Sequence, residues 1–379
     1  GWKEKTGEYL QNRIDYKERS DAFEVIADGF DYDALEWINV IEARELISEN
    51  EEMSEVIIAV IDTGIDPDIW KYVESKGCDI LLYVRPEEYF DWGWKWPWEW
   101  GWKWQYVVAD KPDDPNVKDS GYGHGSMVVS VITQIIPRAK ITAVEAALKW
   151  IINHVNVYDI DIINMSFGST NRFTPYYDEL QNLYNNYNVL FIAAAGNKDR
   201  NEYIYPASFD EVISVGGIFD DSDGYLTFVT AGRFPIQYSG QRVTKSVYNE
   251  LRHNHESFGS TFNDKLDFVA PMFDIEVLFS PSEKVSVITS DGTSLSSAIV
   301  TGCASLIFHA YFKKFGAEPK PAIVFDALQK TAEQSLSEQS ATPKPIINGK
   351  VNDIVKRNDY YGWGCIDVYD AIVYITSKD

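Results

Sequence analysis

Basic charge, cysteine and long apolar runs are all scarce in this sequence. Lys and Arg number 34 against 58 Asp and Glu, a formal charge of −24. That is the wrong sign for holding a phosphate backbone or an anionic bilayer, so no nucleic acid partner is expected. The three cysteines, Cys78, Cys303 and Cys365, are an odd number with no CxxC spacing to suggest a disulfide framework or a zinc site. Buried free thiols are the expectation. No apolar run approaches the ~20 residues of a membrane-spanning helix, so no membrane span is expected. A basic-then-apolar leader is missing too, and the chain starts at Gly1. It reads as soluble, either intracellular or a processed secreted form, with its compartment open.

What is present is enough apolar material for a large core: 379 residues, 45% hydrophobic and 14% aromatic. Apolar runs at Val56 to Ile61, Ile141 to Val144, Ile160 to Met165, Val189 to Ala195 and Val212 to Gly216 read as buried strands. Helical spacing separates them at Ala146 to Val155 and Tyr177 to Tyr187, and such alternation predicts an α/β fold. The sheet is mostly parallel with helices on both faces, in three layers. Ser294 to Tyr311 reads as a long buried helix, Ala322 to Leu336 and Ile366 to Thr376 as shorter ones. At the front, Leu35, Ile38, Ile41 and Leu46 stand at near-helical spacing, and Glu145 reads as opening a helix. Seven of the twelve tryptophans alternate from Trp92 to Trp104; one unbroken strand of that length would be unusual, so a break at Pro97 or Gly101 is expected.

Four stretches carry polar groups suited to one reaction. In VIIAVIDTGID, Asp62 closes a strand, the usual place for function in an open parallel sheet, although an Asp there also commonly caps a turn. In GYGHGSM, glycines flank His124 ahead of an apolar helix. In SDGTSLSSA, Ser294 lies at the start of the long helix, where free amide N–H groups and the positive dipole end favour an oxyanion; the plainer alternative is that Thr293 or Ser294 is an N-cap. In AAAGN, Asn197 follows a strand end and offers a carboxamide donor. Asp, His, Ser and a carboxamide are the set needed for nucleophilic acyl transfer.

These stretches, in the order Asp, His, Asn, Ser, resemble the subtilisin-like serine proteases. The similarity runs from about Trp37 to Ile375 and includes DIINMSFGS at Asp161 to Ser169, LDFVAP at Leu266 to Pro271 and YGWGCIDVYDA at Tyr361 to Ala371. The resemblance implies a subtilisin-like fold and a serine endopeptidase, in which Ser294 attacks the peptide carbonyl, His124 moves the proton and Asp62 holds the imidazole. Asn197 and the Ser294 N–H would stabilise the oxyanion. It further implies that Ser166, Phe167 and Gly168 pair with extended peptide, and that Ser166 to Gly168 and Ala194, Ala195 and Gly196 wall the primary specificity pocket. Lys198 falls at its rim, which favours an acidic side chain on the acyl side of the scissile bond, whereas Ile204 near the floor favours apolar ones.

Departures from the family pattern shape the remaining expectations. Gly125, Ser126, Met127 and Val128 stand where the family usually has Gly-Thr-His-Val, and Leu295, Ser296, Ser297, Ala298 and Ile299 replace Met-Ala-x-Pro-His. The usual calcium loop and a Gly-rich substrate-pairing segment are missing between His124 and Asn164, so selective processing is favoured over degradation. The organisation expected is an N-terminal extension over 1–34, then a peptidase domain over 35–379 with a Trp-rich insertion around 86–108 and another around 221–256. Peptide or protein substrates are the expected partners, with a propeptide or inhibitor left open; no cofactor or metal is expected. Asp220, Asp221 and Asp223 lack full calcium-loop spacing, and His253, His255 and Glu256 lack further zinc ligands. The rival reading is an inactive peptide-binding scaffold whose contact surface is the Trp insertion.

Overall fold

Short β-branched runs bounded by turn residues become the strands of one nine-stranded sheet. The computed structural model describes residues 35, 38–47, 56–91, 101–119, 123–145, 148–172, 177–221, 225–228, 259–272, 275–280, 284–338, 346–347, 350–351, 357, 359 and 361–378. In chain order, α1 (Val40–Ile47), β1 (Ile57–Asp62), α2 (Pro67–Ser75), β2 (Asp79–Asp91) and β3 (Gly101–Ala109) lead to α3 (His124–Ile135) and β4 (Lys140–Glu145). Then come α4 (Leu148–Tyr158), β5 (Ile162–Met165), α5 (Tyr177–Tyr187), β6 (Leu190–Ala194), β7 (Val212–Asp221) and β8 (Tyr225–Phe228). After β9 (Phe268–Pro271) and the β10 (Ile275–Phe279) and β11 (Ser286–Ser290) pair, the chain closes with α6 (Thr293–Phe315), α7 (Pro321–Glu338) and α8 (Val368–Ser377).

The sheet order is β3-β2-β4-β1-β5-β6-β7-β8, with β9 also pairing β7. Its central pairs are parallel, and only the β2–β3 and β7–β8 pairs are antiparallel. Side chains alternate between two buried faces, as strands covered on both sides must. Ile58 and Val60 of β1 join the core under α3, α6, α7 and α8, while Ala59 and Ile61 pack with Trp150, Ile151 and Val155 of α4 and Leu180 and Leu183 of α5. Leu190 and Ile192 against Phe191 and Ala193 repeat the pattern in β6. The fold is therefore the three-layer, subtilisin-like arrangement expected. Because β1 is flanked by β4 on one side and β5 on the other, the order reverses there, which opens a crevice at the carboxyl ends of the strands.

α6 has the length and composition of a membrane-crossing helix, yet 89% of its most apolar window is buried inside the protein. It is the central core helix. Two local expectations change. Asn39 adopts a left-handed φ of 55°, which resets the helical phase ahead of α1: Val40, Ala43 and Ile47 are buried, whereas Ile41 and Leu46 are about half exposed. Glu145 ends β4 instead of opening a helix, and α4 begins at Leu148.

The chain doubles back between Asp91 and Gly101, which are paired across the β2–β3 ladder, as are Phe90 with Trp102 and Glu88 with Trp104. Trp92 to Trp100 lie outside the described residues, as do 1–34, Ser222 to Gly224, His253, His255 and Glu256. Cys78, Cys303 and Cys365 are buried thiols.

Candidate active site

Each singled-out residue leaves the sheet at its carboxyl edge or starts a helix against it. Asp62 ends β1, Ser166 follows β5, Asn197 follows β6, and His124 and Ser294 lie in the first turns of α3 and α6. Strand ends hold their side chains rigidly because the parallel ladder fixes the backbone; Ile61 is in register with Met165 of β5, and Met165 with Ala193 of β6.

His124 and Asp62 are directly joined. The Nδ1 atom lies 2.6 Å from Asp62 Oδ1, with the carboxylate side chain almost wholly buried and the imidazole 38% exposed. Thr63 N also donates to Oδ1 at 2.8 Å, while Oδ2 is buried without a hydrogen-bond partner among the described residues. A second carboxylate braces this corner. Asp119 accepts from Thr63 Oγ1 at 2.7 Å and from the Ser126 amide and hydroxyl at 2.9 Å each, and Thr63 Oγ1 in turn accepts from Gly125 N. Burial alone would lower the imidazole pKa; the Asp62 charge and hydrogen bond, with the Asp119 charge, outweigh it and hold His124 above its ordinary 6.5.

Ser294 is organised differently. Its Oγ donates to the Ser166 carbonyl oxygen at 3.1 Å, and no hydrogen bond joins it to His124 among the described residues. Gly292, the N-cap of α6, turns the chain into the helix with φ 137°, which a side chain rarely adopts, and itself offers no capping side chain. The N-cap alternative for Thr293 or Ser294 therefore falls away. Thr293 instead clamps Asn197: its amide and its Oγ1 each donate to Asn197 Oδ1 at 2.9 Å, while Oγ1 accepts from Gly196 N at 3.1 Å. With both donors on Oδ1, the Asn197 NH2 is left toward Gly292, whose Cα carries no side chain to block it. The Ser294 N–H, in the first helical turn, lacks an intrahelical acceptor and remains available to an anion.

Behind Ser294 runs a buried polar chain that the sequence reading missed. Asn164 Nδ2 donates to Ser166 Oγ at 2.9 Å, which lies 2.9 Å from both the Ser294 carbonyl and Ser297 Oγ. Thr301 Oγ1 contacts Asn164 Oδ1 at 3.0 Å and donates to the Ser297 carbonyl. Asn164, Ser297 and Thr301 are fully buried. Their signal was a hydroxyl stripe at Ser294, Ser297 and Thr301, spaced three and four along an otherwise apolar helix.

Of the expected wall residues, Ser166, Ala194 and Ala195 are buried, and Phe167 is 40% exposed. Lys198 does not present a free charge: its ammonium lies 3.4 Å from Glu202, which also takes Arg200 at 2.9 Å. Among the described residues, no group of three His, Cys, Asp or Glu side chains could hold a metal ion.

A buried carboxylate bonded to an imidazole, with a serine at the start of a core helix that packs against the helix carrying that imidazole, is a set of groups suited to a serine hydrolase. The sequence narrows that class. The Subtilase family profile matches residues 53–364, and the chain belongs to this family of subtilisin-like serine peptidases. The chain is 26% identical over 303 residues to the "Major intracellular serine protease" of Bacillus subtilis (strain 168), spanning 72% of this chain and 74% of that one. It is 23% identical to the "Minor extracellular protease Epr" of the same organism, covering 73% of this chain but 41% of that longer one. Two solved structures share the fold: a "Lanthipeptide Protease" (TM-score 0.54, 19% identity, 84% of this chain and 87% of that) and "Prenylagaramide maturation protease PagA" (TM-score 0.57, 20% identity, 90% and 99%).

Proposed function

We propose that the chain is an active endopeptidase that cleaves extended peptides through Ser294, His124 and Asp62. The observation that carries this reading is the 2.6 Å contact of Asp62 with His124 Nδ1, because it leaves Nε2 as the base nitrogen. His124 takes the proton as Ser294 Oγ attacks the carbonyl carbon and returns it to the leaving amine, while Asp62 stabilises the imidazolium. To reach the base, the hydroxyl must leave the Ser166 carbonyl, a tightening commonly completed only once substrate is bound. Asn197 Nδ2 and the Ser294 N–H receive the oxyanion.

Ser166 to Gly168 and Ala194 to Gly196 wall the site for the acyl-side residue, and the exposed edge at Phe167 accepts extended peptide by strand addition. Selective processing is favoured over bulk degradation because the sequence leaves one substrate-pairing edge. The proteases that share the fold include one named for maturation.

The test is a fluorophosphonate probe with wild type and Ser294→Ala. Labelling at Ser294 and peptide cleavage in wild type, both lost in the variant while its melting temperature holds, are expected. A wild type that is neither labelled nor active would leave the inactive scaffold standing.

A further inference from the structure

One side chain lies against both of the segments just described. A methyl group placed on Gly168 would collide with Ile204 Cγ2, and one placed on Gly196 would stand 3.2 Å from Ile204 Cγ1. Ile204 therefore reaches both segments at once, one branch against each glycine, and is only 4% exposed.

Its position is fixed from three sides. The Ile204 amide donates to Ser208 Oγ at 3.1 Å, and its carbonyl accepts from Ser208 N at 2.8 Å. The next residue, Tyr205, exchanges both backbone hydrogen bonds with Ser169, at 2.8 and 2.9 Å. These bonds fix the Ile204 backbone, and with the side chain only 4% exposed it is the packing around it that limits its rotamer.

The chemistry sets what this obstruction touches. Attack by Ser294 places the scissile carbonyl between a hydroxyl bonded to Ser166 and the amide of Asn197, next to Gly196. The side chain of the acyl-side residue begins one atom from that carbonyl, so it is directed between the same two segments. Two walls built of glycine would leave a deep slot there; the isoleucine raises its floor. Forcing a leucine or phenylalanine against a fixed, buried branched side chain is overpacking, which the wall cannot relieve by rotamer change.

We propose that Ile204 closes this pocket, so that the enzyme cleaves after glycine, alanine or serine and rejects large side chains. The proposal rests on the hydrolase reading above and adds its substrate class. It also displaces the expectation of an acidic preference, since an incoming carboxylate would compete with Glu202 for Lys198.

The experiment is a matched peptide series with Gly, Ala, Ser, Leu, Phe or Glu on the acyl side of the bond, cleaved by wild type, Ile204→Val and Ile204→Gly. A fluorophosphonate small enough to enter the closed pocket reports the assembled site in each. Wild type is expected to favour Ala over Leu and Phe in kcat/KM by about tenfold or more. The ratio should narrow with Ile204→Val and vanish or reverse with Ile204→Gly. The wild-type series decides the matter even where the glycine variant does not fold. A labelled wild type that cleaves after Leu, Phe or Glu as readily as after Ala overturns the closed pocket alone. An enzyme that is neither labelled nor active overturns the hydrolase reading, and this proposal falls with it.

Discussion

The two halves of the site are built on opposite plans. In the acid–base half, the working groups touch each other: Asp62 bonds His124 directly, and Asp119 braces the loop around them through Thr63 and Ser126. In the nucleophile half, the working groups touch their supports instead: Ser294 bonds the Ser166 carbonyl, and Asn197 is clamped by Thr293. The acid–base pair is thus joined in this structure, while the serine hydroxyl is held on the Ser166 carbonyl and must leave it to reach His124.

Breaking the nucleophile half at Asn197 should have the largest effect. Asn197→Leu removes the side-chain oxyanion donor and is expected to lower kcat by about two to three orders of magnitude, the loss typical of one such donor, with little change in KM. Thr293→Val keeps that donor and the Thr293 amide's bond to Oδ1 but removes the Oγ1 bond, so the carboxamide is held less firmly and a smaller kcat loss is expected. If the two variants are equally impaired, Thr293 has a role beyond the clamp; if neither is impaired, the Asn197 amide does not face the oxyanion.

Next in size is the buried chain behind Ser294. Ser297→Ala deletes a hydroxyl within 2.9 Å of Ser166 Oγ; Thr301→Val deletes one that serves Asn164 two steps from the nucleophile. Each should cost about 1–3 kcal/mol of stability, because buried polar partners are left unpaired. The distinguishing readout is kinetic. Ser297→Ala should also lower kcat, about tenfold by converting a loss at the upper end of one hydrogen bond's worth to a rate, whereas Thr301→Val should leave kcat nearer wild type. Equal kinetic effects would mean that the chain acts on the nucleophile as a unit.

What could be read from the sequence follows the same division. Asp62, His124, Asn197 and Ser294 each lie in a short motif at an element boundary, where turn glycines and apolar flanks announce a special position. The layered fold was equally legible, because strands buried on both faces read as continuous apolar runs. Ser166, Ser297 and Asn164 were not legible as a network, since their bonds link residues 131 apart in sequence, or buried groups two apart. Small hydroxyls on an apolar helix look like packing. The pairing of Lys198 with Glu202 was not legible for a related reason: the partner lies only four residues on, but in a loop no periodicity brings them together. The phase of α1 was lost at Asn39, whose left-handed backbone has no strong signature in that setting.

The smallest effect expected comes from the acid–base half, through charge alone. Asp119 does not touch the imidazole, yet its carboxylate helps hold the His124 pKa above 6.5. Catalysis needs neutral His124, so activity should fall as pH drops through that raised pKa. Asp119→Asn keeps an acceptor for Thr63 but removes the charge, so the acid limb of the kcat/KM profile should move to lower pH by a few tenths of a unit. The same charge enters stability with a definite sign. A histidine whose folded pKa is raised stabilises the fold fully below its unfolded value of about 6.5, and that contribution is lost as pH rises through the folded pKa. Asp119→Asn also loses an acceptor for Ser126, a deficit independent of pH. Its melting temperature should therefore lie below wild type throughout, with the gap widest under acidic conditions and narrowing as pH rises. A gap that stays constant with pH, together with an unmoved acid limb, would reduce Asp119 to a hydrogen-bond acceptor and leave Asp62 as the sole source of the histidine's shift.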